Sequence, residues 1–255
     1  LVGGFMGTAI NGKKIENVYI AGNPISGFVK NGEIIYKKNV IEDTTPPIYT
    51  TLGIFNRVVA GQSNKYATFG NRIRLFISFP EMLAINPKVD IYGENEKVTT
   101  KELKYSEAAK FYFVEFDITE ELKLPQGKIK FKIYGYADSA GNVGKDLNEE
   151  NVNSTAYPYV IFDSIKPNIT IKTGINETIG NENDGYTKIS FKINDNTALA
   201  EYEINEIISK ISASQWGDIN NVTLATKGVI EGINILKLRD MAGNEKIKEF
   251  KIINS

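Results

Sequence analysis

The chain is predicted to be all-β, with two tandem antiparallel β-sandwiches preceded by a small β-meander. Three observations carry this expectation. Two phrases each occur twice: Val40-Ile41-Glu42-Asp43-Thr44-Thr45-Pro46-Pro47 is echoed by Val160-Ile161-Phe162-Asp163-Ser164-Ile165-Lys166-Pro167, and Ala137-Asp138-Ser139-Ala140-Gly141-Asn142 by Arg239-Asp240-Met241-Ala242-Gly243-Asn244. Self-similarity at domain length marks repeated modules. Apolar and polar residues alternate over short runs, the period of a half-buried strand, and no segment sustains a helical period. Gly, Asn and Asp punctuate these runs closely enough to leave no room for helical crossovers between parallel strands.

The elements follow in chain order. Between residues 10 and 36, Gly12, Gly22 and Gly32 recur in register, as do Ile15, Ile25 and Ile35. Asn11-Gly12 and Asn31-Gly32 are two-residue hairpin signals, because both central residues of that turn need positive φ. Residues 1–39 are therefore read as a β-meander and attachment module, too small to be secure alone and with edge strands that seek a partner.

Residues 40–162 are read as the first sandwich. Arg72 to Phe79 places Ile73, Leu75, Ile77 and Phe79 on one face, and Phe111 to Ile118 does the same with Tyr112, Val114, Phe116 and Ile118. Short helical turns are expected around Lys101-Glu102-Leu103 and Thr119-Glu120-Glu121-Leu122. Ile129, Phe131 and Ile133 occupy one parity of a strand while Tyr134 and Tyr136 occupy the other, so either Gly135 marks a bulge that switches faces or both faces are covered. Residues 163–255 repeat the plan: Lys188 to Ile193 alternates, Asn194-Asp195-Asn196 turns the chain, and Leu199 to Ile204 follows.

Composition removes several function classes. The 255 residues carry a net charge of −1, 42% hydrophobic content, no cysteine and no histidine. Without cysteine the sandwiches are held by packing, and zinc through thiolates is excluded. Without histidine the commonest general base and transition-metal ligand is missing, and Ser-His and Cys-His nucleophile systems are impossible. Balanced charge supplies no global field for nucleic acid or an anionic membrane, and no apolar run approaches the roughly 20 residues that span a bilayer. No nucleic acid, no membrane insertion and no cofactor are expected.

Several motifs have a structural and a functional reading. The Asp-x-Ala-Gly-Asn phrase is foremost a turn, in which Asp accepts from backbone amides ahead of it and Gly supplies positive φ. Its alternative is a calcium site using Asp138, Asn142 and Asp146, or Asp240 and Asn244, although calcium takes six to eight oxygens and few are visible at either turn. The Asp-[Thr/Ser]-x-x-Pro phrase puts a proline just after each junction, where it limits swivel. Glu115 with Asp117, or Glu120 with Glu121, is an imaginable acid/base pair for glycoside cleavage, but alternation points the first pair at solvent. Lys128, Lys130 and Lys132, interleaved with Tyr134 and Tyr136, are read as lysine protection of a sheet edge before a sugar or nucleic-acid surface. Tyr157, Tyr159 and Trp216 are candidates for stacking on a saccharide, with packing as the ordinary use of such rings.

The two large modules resemble bacterial immunoglobulin-like domains of surface and virion proteins. The resemblance rests on Asp43…Pro47 and Asp163…Pro167, on Asn194-Asp195-Asn196…Leu199…Ile204-Asn205, and on Gly232-Ile233-Asn234 leading to Asp240…Asn244. The N-terminal repeat, carried by Asn11-Gly12…Val18-Tyr19-Ile20 and Asn31-Gly32…Ile34-Ile35-Tyr36, is similar to short repeats of phage tail and fibre-type proteins. These resemblances imply a non-enzymatic bacteriophage virion protein present in multiple copies. It would dock on other virion proteins through Val18, Tyr19, Ile20, Phe28 and Val29, and touch a bacterial surface saccharide weakly and polyvalently. The alternatives are a bacterial cell-surface adhesin or surface-layer spacer, and the accessory domains of a wall-degrading enzyme.

Overall fold

A computed structural model describes residues 9–10, 13–14, 18–20, 23–25, 27–30, 33–37, 43–57, 63–93, 96–172, 178–180, 188–212, 217–223 and 226–253. The chain forms two compact units, Leu1–Thr45 and Pro46–Ser255. Among the described residues no helix is long and apolar enough to cross a membrane.

Among the described residues the N-terminal unit shows three antiparallel strand pairs. β1 (Ala9–Ile10) pairs with β2 (Lys13–Lys14), β3 (Val18–Ile20) with β4 (Asn23–Ile25), and β5 (Gly27–Lys30) with β6 (Glu33–Lys37). Each pair is two-stranded among the described residues.

In the second unit the first sandwich contains β7 (Thr51–Asn56), β8 (Tyr66–Ala67), β9 (Arg72–Ser78), β10 (Lys88–Tyr92), β11 (Lys97–Glu102), β12 (Lys104–Ser106), β13 (Phe111–Asp117), β14 (Gly127–Lys128), β15 (Lys130–Tyr134), β16 (Leu147–Asn148) and β17 (Ile161–Phe162). One sheet runs β12-β13-β9-β7 and the other β11-β10-β15-β16, while β14-β17-β8 forms a small third sheet. Ile73, Leu75 and Ile77 of β9 and Tyr112, Val114 and Phe116 of β13 point inward as the alternation predicts. They meet Val89, Ile91, Phe131 and Ile133 from the facing sheet in one core. Leu103 is fully buried beside β11, so the helical turn expected around Lys101 is a strand instead. A 3-10 turn does form at Glu120–Leu122.

Gly135 settles the parity of the lysine-rich strand. Its φ of +69° switches the chain between faces, so that Phe131, Ile133 and then Tyr136 are buried while Tyr134 stays on the outer face. A residue with a Cβ pays for that conformation, which is why glycine stands there. Tyr136 donates its hydroxyl to the Lys145 carbonyl at 2.7 Å. Burial, with the charge of Asp146 adding, pushes that hydroxyl up to about 12.

The second sandwich contains β18 (Asn168–Ile171), β19 (Thr178–Gly180), β20 (Lys188–Asn194), β21 (Leu199–Ile204), β22 (Ile207–Lys210), β23 (Gly217–Thr223), β24 (Gly232–Asp240) and β25 (Glu245–Ile253). Its sheets run β18-β20-β23 and β19-β25-β24-β21-β22, antiparallel throughout except for the β19–β25 pair. In chain order these are the A-B-E and G-F-C groupings of an immunoglobulin sandwich, with the short β19 laid parallel along the last strand. Ile189, Phe191 and Ile193 face Leu236, Leu238 and Phe250 in a second, separate core. The protein is thus a tandem of immunoglobulin-like sandwiches.

Candidate functional site

The two sandwiches meet at Asp163, and the sequence places it there by repetition. In the opening phrase each Asp caps the amide two residues on: Asp43 accepts from Thr45 and Asp163 from Ile165, both at 2.9 Å. Pro47 and Pro167 are both buried four residues later. At Asp163 this turn is stitched to both sandwiches. On one side β17 pairs with β14 and β8, and the Asp163 amide donates to the Ala67 carbonyl at 2.8 Å. On the other, the Asp163 carboxylate accepts from Asn196 Nδ2 at 3.0 Å and from Thr197 Oγ1. Asn244 ties the two together, donating to the Asp163 carbonyl at 2.9 Å while its Oδ1 accepts from Thr68 Oγ1 of the first sandwich at 2.8 Å.

Asn244 belongs to the second of the duplicated turns, and the twin turns share the bonds from the asparagine's amide and side chain while differing in the second amide that the aspartate accepts. Asp138 Oδ1 accepts from the amides of Ala140 and Asn142 at 2.8 and 2.9 Å, and its Oδ2 accepts from Asn142 Nδ2 at 2.9 Å. Asp240 Oδ1 accepts from the amides of Gly243 and Asn244 at 2.7 and 2.9 Å, and its Oδ2 from Asn244 Nδ2 at 2.8 Å. Gly141 and Gly243 take φ of +90° and +99°, the left-handed geometry that the turn requires. The structural reading of the phrase is therefore what the geometry shows. Within each turn the asparagine faces its aspartate with the amide nitrogen, so Asp138 with Asn142, or Asp240 with Asn244, does not form an oxygen cage by itself.

The twins differ in their surroundings. The Asn142 side chain, joined by the turn amides, holds the Asp138 carboxyl below the ordinary carboxylate range. Burial pushes Asp240 up to about 6 despite its bonds to Asn244, because the charges of Asp195 and Asp163 add to the cost. One carboxylate oxygen from each of Asp163, Asp195 and Asp240 lies within 4.8 Å of the other two. For Asp138 the sign of the linkage is direct: a depressed folded pKa contributes stability above the unfolded value and loses it as pH falls through the folded one. Asp138→Asn is expected to lower the melting temperature of the first sandwich at neutral pH, with the penalty closing in acid. Paired thermal melts across pH check this.

A second feature is an open groove of about 580 Å³ on the first sandwich, lined by Tyr92, Glu96, Lys130, Lys132, Asp146 and Glu149 among others. It lies along β15, which pairs with β10 over its whole length and with the two-residue β16 only at Lys132 and Ile133. The expected edge role fits Lys128 on the edge strand β14, and Lys130 is paired only on the β10 side, whereas Lys132 stands between β10 and β16 and is corrected to an interior position. Lys132 pairs with Asp146 at 2.7 Å and lies 5.9 Å from the Tyr134 ring, which raises its pKa chiefly through the Asp146 bond. Tyr134 in turn donates to Asp90 at 3.2 Å.

The remaining candidates are placed as follows. Tyr157 packs on Phe55 and Phe76, with ring centroids 4.4 and 5.9 Å away, which is a packing role. Tyr159 is half-buried with the ammonium groups of Lys65 and Lys128 over its ring at 5.7 and 5.2 Å. Trp216 lies outside the described residues. Val18, Tyr19 and Ile20 lie on β3, and Phe28 and Val29 on β5; their side chains also lie outside the description. Glu115 is held by Arg57 and Arg74 at 2.7 and 2.5 Å, and Asp117 by a two-pronged contact with Arg72. Although partial burial opposes it, these arginines keep Glu115 below its ordinary pKa, the reverse of what a general acid needs.

No protein-family model and no curated protein matches this chain. Solved structures do resemble it. A tandem of titin immunoglobulin domains is 11% identical over 82% of this chain and 98% of its own, with a TM-score of 0.24. A Bacteroides ovatus surface protein from a mixed-linkage glucan utilization locus, solved with a mixed-linkage heptasaccharide, is 12% identical. That match covers 96% of this chain and 58% of the other, with a TM-score of 0.25. The fold assignment stands on strand order and the two cores.

Sequence reasoning passed over Asp163 and Asp195 as site residues, treating the first as a domain opening and the second as part of a turn. The available signal was that Asp163 and Asp240 both sit in duplicated phrases, which places equivalent ends of the modules near each junction.

Proposed function

We propose that this chain is a non-enzymatic structural protein of a bacteriophage particle, a reading in which the N-terminal hairpins dock and the paired sandwiches touch a bacterial surface glycan. The observation that carries the spacer role is the junction, where one linker residue is strand-paired or hydrogen-bonded into both sandwiches, so that the tandem behaves as a stiff element. Docking through the hairpins is supported by their size. Two-stranded ribbons leave unpaired edges and gain stability by adding to another sheet. The groove beside Tyr92 suits glycan contact, since a tyrosine face with surrounding charged hydrogen-bonding groups meets a sugar ring and its hydroxyls. A single shallow groove binds weakly, and many copies on one particle multiply that into useful avidity.

A variant lacking residues 1–39 tests the docking role. It is expected to lose binding to purified particles while its two sandwiches still melt cooperatively. Binding at undiminished affinity would remove the docking role from the hairpins.

A further inference from the structure

The outer face of the sheet β12-β13-β9-β7 carries aromatic rings where strand alternation calls for polar side chains. Phe55 on β7, Phe76 on β9, and Phe111 and Phe113 on β13 alternate with the inward residues of their strands, and none of the four belongs to either core. Phe76 is nonetheless only 9% exposed, because other rings close over it: Phe55, Phe111 and Tyr157 stand 6.2, 5.3 and 5.9 Å away, centroid to centroid. Phe113 extends the row, 6.0 Å from Phe111. The packing of Tyr157 thus builds a surface, not an interior. Gly53 makes room for it, since a Cβ there, opposite Phe76 on β7, would stand 2.6 Å from the Phe76 ring. Glycine inside a strand marks such a close approach. Phe55, Phe111, Phe113 and Tyr157 are half-buried, and a contiguous apolar surface of this kind marks a binding face.

The polar groups beside the rings decide the occupant. Arg57, Arg72 and Arg74 share this outer face with Glu115 and Asp117, and Arg74 lies over the Phe113 ring at 4.9 Å. Every described bond to Glu115 falls on Oε1, from Arg57 and Arg74, which leaves Oε2 to accept another donor. At the Phe55–Tyr157 end the face sinks into an open hollow of about 410 Å³, lined also by Asn56, Arg57, Asn64 and Arg72. Three guanidinium groups against two carboxylates leave a surplus of one positive charge, too little to hold a nucleic-acid backbone, whose binding rests on many phosphate contacts. A dry protein partner would strip water from the ion pairs, which is unfavourable unless every charge is satisfied again. Sugar hydroxyls meet neither obstacle. They donate to the carboxylate and accept from the guanidinium groups with both pairs intact, while the apolar side of the sugar ring covers an aromatic face.

We propose that the outer face of β12-β13-β9-β7 is a saccharide-binding platform, on which Phe55 and Tyr157 stack against a sugar ring at the hollow while Arg57, Arg72 and Glu115 take its hydroxyls. The row of rings runs on from the hollow through Phe76 to Phe111 and Phe113, so the platform suits a chain of linked sugars better than a single one. It is distinct from the groove beside Tyr92, which is lined from the facing sheet β11-β10-β15-β16. The inference rests on the glycan reading given above and adds to it a second contact face, on the opposite side of the same sandwich. Two faces on one module raise avidity further.

The test exposes the full chain to an array of bacterial surface saccharides, acidic and neutral, and then maps the tightest-binding member by amide chemical shifts in the unaltered protein. Binding is expected, with large shifts at Gly53, Phe55 and Arg57 of β7, at Phe76 of β9 and at Phe113 of β13. Tyr157→Ala is expected to weaken it at least about tenfold, the scale of a lost aromatic anchor. The shift map needs no variant and therefore still decides the matter if Tyr157→Ala misfolds. Shifts confined to β10, β15 and β16 would overturn the platform while the glycan reading survived through the groove, and binding to no member of the array would remove both. Full affinity in a folded Tyr157→Ala, or self-association of the chain through these same amides, would also overturn the platform.

Discussion

Gly144→Ala is expected to melt the first sandwich roughly 10–20 °C below the unaltered protein, the shift that follows from a loss of about 3 kcal/mol in a domain near this size. A Cβ at this position would stand 1.9, 2.3 and 2.6 Å from three ring carbons of Tyr136. The ring has nowhere to go. It is 1% exposed, its centroid lies 5.1 Å from that of Phe79, and its hydroxyl is fixed on the Lys145 carbonyl. The backbone cannot yield either, because the Gly144 amide donates to the Tyr136 carbonyl at 2.9 Å. Either the tyrosine leaves the core or this bridge breaks. Differential scanning calorimetry reads the outcome, and an unchanged melting temperature would mean that Tyr136 does not fill the core beneath Gly144.

Phe191→Ala is the counterpart in the second sandwich. Phe191 is fully buried on β20 and meets the edge of Tyr202 at a centroid distance of 5.2 Å and an interplanar angle of 74°. Truncating a buried phenylalanine costs about 3–5 kcal/mol through lost transfer energy and the cavity left behind. Because the two cores share no residue, calorimetry should show this variant lowering the second sandwich's transition and Gly144→Ala the first's. Equal movement of both transitions by either variant would mean that the tandem unfolds as one core.

Much of this fold is legible in the sequence where one face of a strand is buried and the other is wet. Arg72 to Ser78, Phe111 to Asp117 and Lys188 to Asn194 are such strands, and their inward residues follow from alternation alone. The duplicated Asp-x-Ala-Gly-Asn turns are legible for a similar reason, since their bonds are local. Alternation fails where both parities are apolar. On β24, Ile233 and Ile235 are 62% and 44% exposed, while Asn234 is buried at 1%. That asparagine is tolerated inside because it accepts from the Ile230 amide at 3.0 Å and donates to the carbonyls of Ile230 and Gly232. No periodicity reveals such local satisfaction. The interior position of β15 was hidden because its partner β16 is only two residues long, and the acidic junction because its members come from three distant segments.

The central claim is that the linker locks the two sandwiches into one stiff element. Residual dipolar couplings of the backbone amides, measured on the full chain in a weakly aligning medium, test it most directly. A single alignment tensor should describe both sandwiches, from β7 to β17 and from β18 to β25. Two tensors of clearly different magnitude would show that the modules reorient independently, and would contradict the account.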